Sequence, residues 1–136
     1  MRTLEFELPI KPMPHQSVRF TKRGIAYKPK NVGVYQSEII NLILEMLPCD
    51  FEIIPKGTPI QIDYIHYCYA YPKSTPKKNR KVHPKTTKPD LQDNLNKAFF
   101  DALEGVLFEQ DQNIFYISEM KKCYQEKDCI KFKISY

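Results

Sequence analysis

Lys88-Pro89-Asp90-Leu91-Gln92-Asp93-Asn94-Leu95-Asn96-Lys97-Ala98-Phe99-Phe100-Asp101-Ala102-Leu103-Glu104-Gly105 is the stretch around which the rest of the chain is organised. It reads as one helix with a start and a stop. Asp90 follows a proline, can cap the first free amides, and places a carboxylate at the positive end of the helix dipole. Gly105 stands where a glycine terminates a helix in the left-handed conformation. Between them Leu91, Leu95, Ala98, Phe99, Ala102 and Leu103 recur at helical spacing and form one apolar face.

The opposite face carries the chemistry. At roughly 100° per residue, Asp90, Asp93, Asn94, Lys97, Asp101 and Glu104 fall in one stripe. Asp93, Lys97 and Asp101 can be ordinary i,i+4 pairs on a solvated face. The alternative is a seat for a hard divalent cation, which needs several oxygen ligands and so a further carboxylate from elsewhere. Glu109-Gln110-Asp111-Gln112-Asn113 supplies one, after a short loop and before a strand.

Charge is arranged in blocks. From Tyr64 to Pro89 there is no acidic residue, while Lys73, Lys77, Lys78, Arg80, Lys81, Lys85 and Lys88 are all basic; from Asp90 to Asp111 there are six acids and one lysine. A metal-dependent enzyme of a polyanion needs both blocks: the first attracts phosphate, and the second holds the cation that acts on it. A solubilising loop beside a polar helix is the plainer reading of the same pattern.

The 136 residues form one domain by length. A hydrophobic share of 42% and a charged share of 27% place the chain in the ordinary globular class. No apolar run reaches the roughly 20 residues of a membrane span. The first residues, Met1-Arg2-Thr3-Leu4-Glu5-Phe6-Glu7, carry acids and lack the apolar core of a signal peptide, so a cytoplasmic protein is expected. Cys49, Cys68, Cys123 and Cys129 include no Cys-x-x-Cys pair, which favours reduced structural thiols over zinc or redox chemistry.

In chain order, Thr3 to Ile10 alternates as a half-buried strand. Ser17 to Lys30 resembles a small hairpin turning near Arg23-Gly24, with Phe20 and Tyr27 among Arg19, Lys22, Arg23, Lys28 and Lys30. Such a hairpin can grip a nucleic-acid backbone, or its two rings can simply pack on the core. Asn31 to Leu47 is a helix with Val32, Tyr35, Ile39, Leu42, Ile43 and Met46 as its apolar stripe, ended by Pro48. Cys49 to Gly57 reads only as a connection. Pro59 to Tyr71 is a long, central strand in which His66 and Asp63 read as strand residues rather than ligands. Pro72 to Lys88 reads as a loop, mobile without its partner. Ile114 to Tyr124 is a strand, Gln125-Glu126-Lys127-Asp128 a hairpin turn, and Cys129 to Tyr136 a closing strand. The expected class is α+β: two helices packed on a mixed, partly antiparallel sheet.

Three stretches resemble the RusA family of Holliday-junction endonucleases, small dimeric enzymes common in prophages: Val18-Arg19-Phe20-Thr21-Lys22-Arg23-Gly24 with Tyr27, the helix Lys88 to Leu103, and Gln110-Asp111-Gln112-Asn113-Ile114. The family pattern is Asp-x-Asp-Asn-Leu-x-Lys. Here it is one residue longer, Asp90-Leu91-Gln92-Asp93-Asn94-Leu95-Asn96-Lys97, so Asp93, Asn94 and Lys97 keep register while Asp90 is displaced by one. The family's later Asp-Asp pair is Gln110-Asp111 in this chain, and Glu109 either replaces the missing neighbour or faces solvent.

The resemblance implies Mg²⁺-dependent hydrolysis of DNA phosphodiesters at four-way junctions, in recombination and repair, by a homodimer, with Mn²⁺ as an admissible substitute. It implies Asp90, Asp93 and Asp111 as metal ligands and Lys97 as a stabiliser of developing charge, with Asp101 in a supporting role. Arg19, Lys22, Arg23, Lys73, Lys77, Lys78, Arg80, Lys81, Lys85 and Lys88 are the expected DNA contacts. The competing classes are a non-catalytic nucleic-acid or branched-DNA binding module, a nuclease for other branched DNA, and a structural or phage-assembly protein.

Overall fold

The structure, a computed structural model, describes residues 1–14, 19–20, 22–27 and 30–136; for residues 19, 20, 26, 27, 30 and 92–94 it describes the backbone alone. The parts of the Ser17–Lys30 segment at 17, 18, 21, 28 and 29, and the side chains of Arg19, Phe20, Tyr27 and Asp93, lie outside the described residues.

Alternating apolar residues make the sheet. Strand β1 (Thr3–Leu8) buries Leu4, Phe6 and Leu8 and exposes the residues between them. It pairs antiparallel with the last strand, β8 (Cys129–Ser135), in the register Leu4↔Ile134, Phe6↔Phe132 and Leu8↔Ile130. The long strand β4 (Ile60–Ala70) lies on the other side of β8 and places Ile62, Ile65 and Tyr67 opposite Ile134, Phe132 and Ile130. Three strands therefore present one continuous apolar face, and β4 is central, as its two-sided apolar pattern predicts. Phe6 stacks on Phe132 at 4.8 Å between ring centroids.

Helix α1 (Lys30–Met46) and helix α2 (Lys97–Leu103) cover that face. Val32, Tyr35, Ile39 and Ile43 of α1 are buried, whereas Met46, expected in the stripe, is exposed. It is the last residue of the helix. Helix α2 buries Ala98, Phe99, Ala102 and Leu103. The Phe99 ring meets Phe132 edge-on at 5.0 Å and Tyr67 at 6.1 Å, contacts that add about 1 kcal/mol each to the burial itself. Two helices on a six-stranded mixed sheet is the α+β architecture that the pattern predicts. No helix among the described residues is long and apolar enough to cross a membrane.

Four features depart from the sequence reading. The acidic stretch is not a uniform α-helix: Leu91–Asn96 is a π-helix, and α-helical geometry begins only at Lys97. The Leu95 amide reaches back five residues to the Asp90 carbonyl at 3.1 Å. A π-turn accommodates one surplus residue inside a helix whose flanks are fixed by packing, and this stretch is one residue longer than the family pattern. Counting 100° per residue therefore holds from Lys97 onward and not across Asp90 to Asn96.

Second, Ile114 to Tyr124 is two strands, β6 (Ile114–Ile117) and β7 (Met120–Gln125), both parallel to β4. Ser118 and Glu119 bridge them, with Ser118 N–H on the Ile62 carbonyl and Ile65 N–H on the Glu119 carbonyl, each at 2.9 Å. The break answers a register shift in β4 between Ile62 and Tyr64. Third, Gln125 to Asp128 is not a hairpin turn, because β4 lies between β7 and β8 in the sheet. The turn straddles the end of β4, and Asp128 accepts the Ala70 amide at 2.8 Å.

Fourth, the basic loop is tied down. Strand β5 (His83–Pro84) pairs with Tyr124 and Cys123 of β7. Lys77–Asn79 forms a 3-10 turn, and the His83 ring lies 6.0 Å from Tyr71 and 5.1 Å from Tyr124. For the described part of the N-terminal hairpin, β2 (Arg19–Phe20) pairs with β3 (Ala26–Tyr27), and Gly24 carries the turn at φ +80°.

Candidate metal centre and nucleic-acid surface

Helix α2 ends where its hydrogen bonding fails. Glu104 leaves the helix with extended backbone, and Gly105 follows at φ +85°. That left-handed conformation lets the Gly105 amide reach the Phe108 carbonyl at 2.8 Å, so the chain folds back on itself within four residues. Buried Leu107 and Phe108 anchor the turn. The Ile54 amide donates to the Leu107 carbonyl and the Glu109 amide to the Ile54 carbonyl, which stitches the turn to the 51–57 segment.

Asp111 opens a 3-10 turn, Asp111–Asn113, directly afterwards. Asn113 is buried and bridges to the same segment: its amide donates to the Pro55 carbonyl at 2.8 Å, and its carbonyl oxygen accepts the Gly57 amide at 3.3 Å. Glu109 accepts the Lys56 amide at 2.8 Å. It is exposed, and this bond ties it to the same 51–57 segment. The connection that carried no reading in sequence is the scaffold that holds Asp111 in place.

The consequence is a cluster. Asp101, Glu104 and Asp111 are all exposed, and one carboxylate oxygen of each lies within 4.8 Å of the others. Each such pair repels by about 1 kcal/mol in water, a cost that a divalent cation turns into attraction. The donors are hard oxygens only, which suits Mg²⁺ and Ca²⁺ rather than a thiophilic metal. Of the residues expected from sequence, Asp111 is in this cluster. Asp90 is exposed beside Pro14, Lys88 and Pro89 and is not one of the three. Asp93 belongs to the π-turn, with its side chain outside the described residues. Lys97 is exposed at the start of α2, one helical turn before Asp101. The sequence reading set the face that carries Asp101 and Glu104 against a carboxylate from 109–113, but named Asp90 and Asp93 rather than these two as the ligands beside Asp111. Only the Gly105 turn brings them together.

Asp63 and His66, on strand β4, are not part of this cluster. Asp63 accepts from Gln61 at 2.6 Å and from the Ser135 hydroxyl. His66 meets Glu119 at 2.6 Å and stacks on Tyr64; that hydrogen bond holds the Glu119 carboxyl below its usual range.

The basic surface divides into free and engaged residues. Lys22, Arg23, Lys73, Lys77, Lys78, Lys81 and Lys88 are exposed. Arg80 is half-buried: Nε donates to the Thr75 carbonyl at 3.3 Å, and the guanidinium lies 6.0 Å from the Tyr71 ring centre. Lys85 is turned inward, onto the Tyr124 hydroxyl at 2.9 Å and the Thr87 hydroxyl at 2.8 Å, with its ammonium 4.8 Å from the Tyr69 ring centre. These bonds, Lys85 first and then Thr87, hold the Tyr124 phenol below its ordinary range.

Gly105→Ala is expected to cost about 1–2 kcal/mol, because an L side chain resists the left-handed region. An added Cβ would meet nothing within 4 Å, so the loss is conformational rather than steric. Urea unfolding midpoints measure it; an unchanged midpoint would mean that this turn relaxes freely.

A family profile described as Endodeoxyribonuclease RusA matches residues 9–135. No curated protein matches the chain at a significant level.

Proposed function

The chain belongs to the RusA family of endodeoxyribonucleases, and from that premise we propose that it resolves four-way DNA junctions by Mg²⁺-dependent hydrolysis of phosphodiester bonds near the branch point, in recombination and repair. The observation that carries the reading is the meeting of Asp111 with Asp101 and Glu104. Carboxylates from two separate segments converge at the foot of a helix whose approach is strongly basic.

In this reading Asp111, Asp101 and Glu104 offer the oxygen ligands, and Asp93 and Asp90 contribute from the π-turn, directly or through waters. A divalent cation held there supplies polarisation of a phosphoryl oxygen and a lowered pKa for bound water. Lys97, exposed one turn from Asp101, steadies negative charge developing on phosphorus or the leaving oxygen. The exposed lysines of the 73–88 loop, with Lys22, Arg23 and Arg19 of the hairpin, hold backbone phosphates and set position without reading bases. A junction offers paired cleavage points, so a two-fold homodimer is the assembly that fits it.

The test is incubation of purified protein with a labelled four-way junction, a flap and a plain duplex, with Mg²⁺, with Mn²⁺ and with chelator. Paired nicks in the junction that vanish on chelation are expected. Tight junction binding without cleavage in either metal would make the protein a binding module. Equal cleavage of flap and junction would make it a nuclease for branched DNA at large.

A further inference from the structure

Strand β7 turns a row of alternate side chains toward the acidic helix, and each one holds a different part of the chain leading into it. Tyr124 bonds Lys85 and lies 3.4 Å from the Thr87 hydroxyl. Lys122 donates from Nζ to the Thr87 carbonyl at 2.6 Å and to the Pro89 carbonyl at 2.7 Å. Met120 receives the Asn96 side-chain amide on its sulfur, while the Tyr67 hydroxyl donates to the Asn96 oxygen. Both ends of the π-turn are therefore tied to the central sheet.

Lys122 is the informative member. It is half-buried, and among the described residues the ion pairs are Arg2–Asp50 and His66–Glu119, so no described carboxylate compensates its charge. Its partners are two main-chain carbonyls at short, charge-assisted distances. The Pro89 carbonyl belongs to the peptide plane that carries the Asp90 nitrogen and Cα. The next plane, on the other side of that Cα, is held by the Leu95 amide on the Asp90 carbonyl at 3.1 Å. With both flanking planes held, the direction of the Asp90 Cα–Cβ bond, from which the carboxylate projects, is held as well.

This bears on the surplus residue. In the family pattern the first Asp precedes the Leu by four residues, the span of one α-turn. Here Asp90 precedes Leu95 by five, and the hydrogen bond spans five. A π-turn is intrinsically poorer than an α-turn, so something must hold it. We propose that Lys122 is a positioning residue: by clamping the Thr87 and Pro89 carbonyls it maintains the π-turn and aims Asp90 along the acidic face despite the inserted residue. The proposal rests on the metal-dependent reading given above.

The experiment uses the full chain as wild type, Lys122→Met, Lys122→Arg and, as a control, Lys121→Met on the exposed side of the same strand. Amide exchange at Leu95 reports the turn, and Mn²⁺ binding without DNA reports the acidic face. In Lys122→Met, Leu95 exchange accelerates while Ile65 exchange does not, and Mn²⁺ affinity falls about 10-fold or more, as for residues that orient ligands. Lys122→Arg, whose guanidinium can reach two acceptors, recovers most of both, and Lys121→Met changes neither. Unchanged Leu95 exchange in Lys122→Met overturns the clamp; faster exchange with unaltered Mn²⁺ affinity overturns the positioning role. Should the methionine variant not fold, Lys122→Gln gives the same comparison. A wild type that neither binds Mn²⁺ nor cuts branched DNA defeats the metal-dependent reading, and Leu95 exchange still decides whether Lys122 holds the turn.

Discussion

Asp111→Asn is expected to slow cleavage of a four-way junction by at least about 100-fold at saturating Mg²⁺. Polarisation of a phosphoryl oxygen by a seated cation is worth several kcal/mol, and about 1.4 kcal/mol is a factor of ten in rate. Asparagine keeps the volume and one oxygen but removes the negative charge that the carboxylate contributes to the cluster. The fold should not change. Asp111 is exposed, and its turn is held by the Asn113 side chain and by the Asn113 amide on the Gln110 carbonyl at 3.2 Å. Cleavage rates and thermal midpoints measured on the same preparation separate the two effects. A variant that cuts within a few-fold of wild type would remove Asp111 from the metal centre, and with it the only carboxylate of the cluster supplied from outside the helix segment.

The part of this site that local pattern reveals is the part that local forces determine. Asp101 and Glu104 share a face because an α-helix turns about 100° per residue, and the buried row Leu4, Phe6 and Leu8 follows from the two-residue period of a strand. Gly105 is legible as a helix stop for the same reason. What stayed hidden depends on partners distant in sequence. Gln125 to Asp128 carries every sign of a hairpin, yet β4, some sixty residues earlier, lies between the strands that it joins. Nothing in the turn residues distinguishes pairing from straddling. The position of Asp111 depends on Ile54, Pro55 and Gly57, in a segment with neither period nor motif. The surplus residue was visible in the spacing from Asp90 to Lys97, but its absorption as a π-turn depends on Lys122 and Asn96 holding the two ends.

Replacing Lys77, Lys78, Arg80 and Lys81 together with alanine is expected to weaken DNA binding and to flatten its salt dependence. Each phosphate neutralised contributes about 0.9 to the slope of log affinity against log salt on duplex arms. Three exposed lysines and a half-buried arginine therefore lower the slope by about 3, so that wild type and variant converge by roughly 100-fold between 50 and 200 mM salt. Binding measured without divalent metal keeps cleavage out of the comparison. Arg80 also braces the loop through the Thr75 carbonyl and the Tyr71 ring, so the single variant Arg80→Ala, followed by its unfolding midpoint, shows how much of the effect is loss of shape. An unchanged slope in the quadruple variant would reject the loop as a phosphate contact. Because phosphate contacts position without reading structure or sequence, junction and plain duplex should lose affinity in parallel. A loss confined to the junction would instead mean that the loop, fixed by β5 against the sheet, recognises the branch itself.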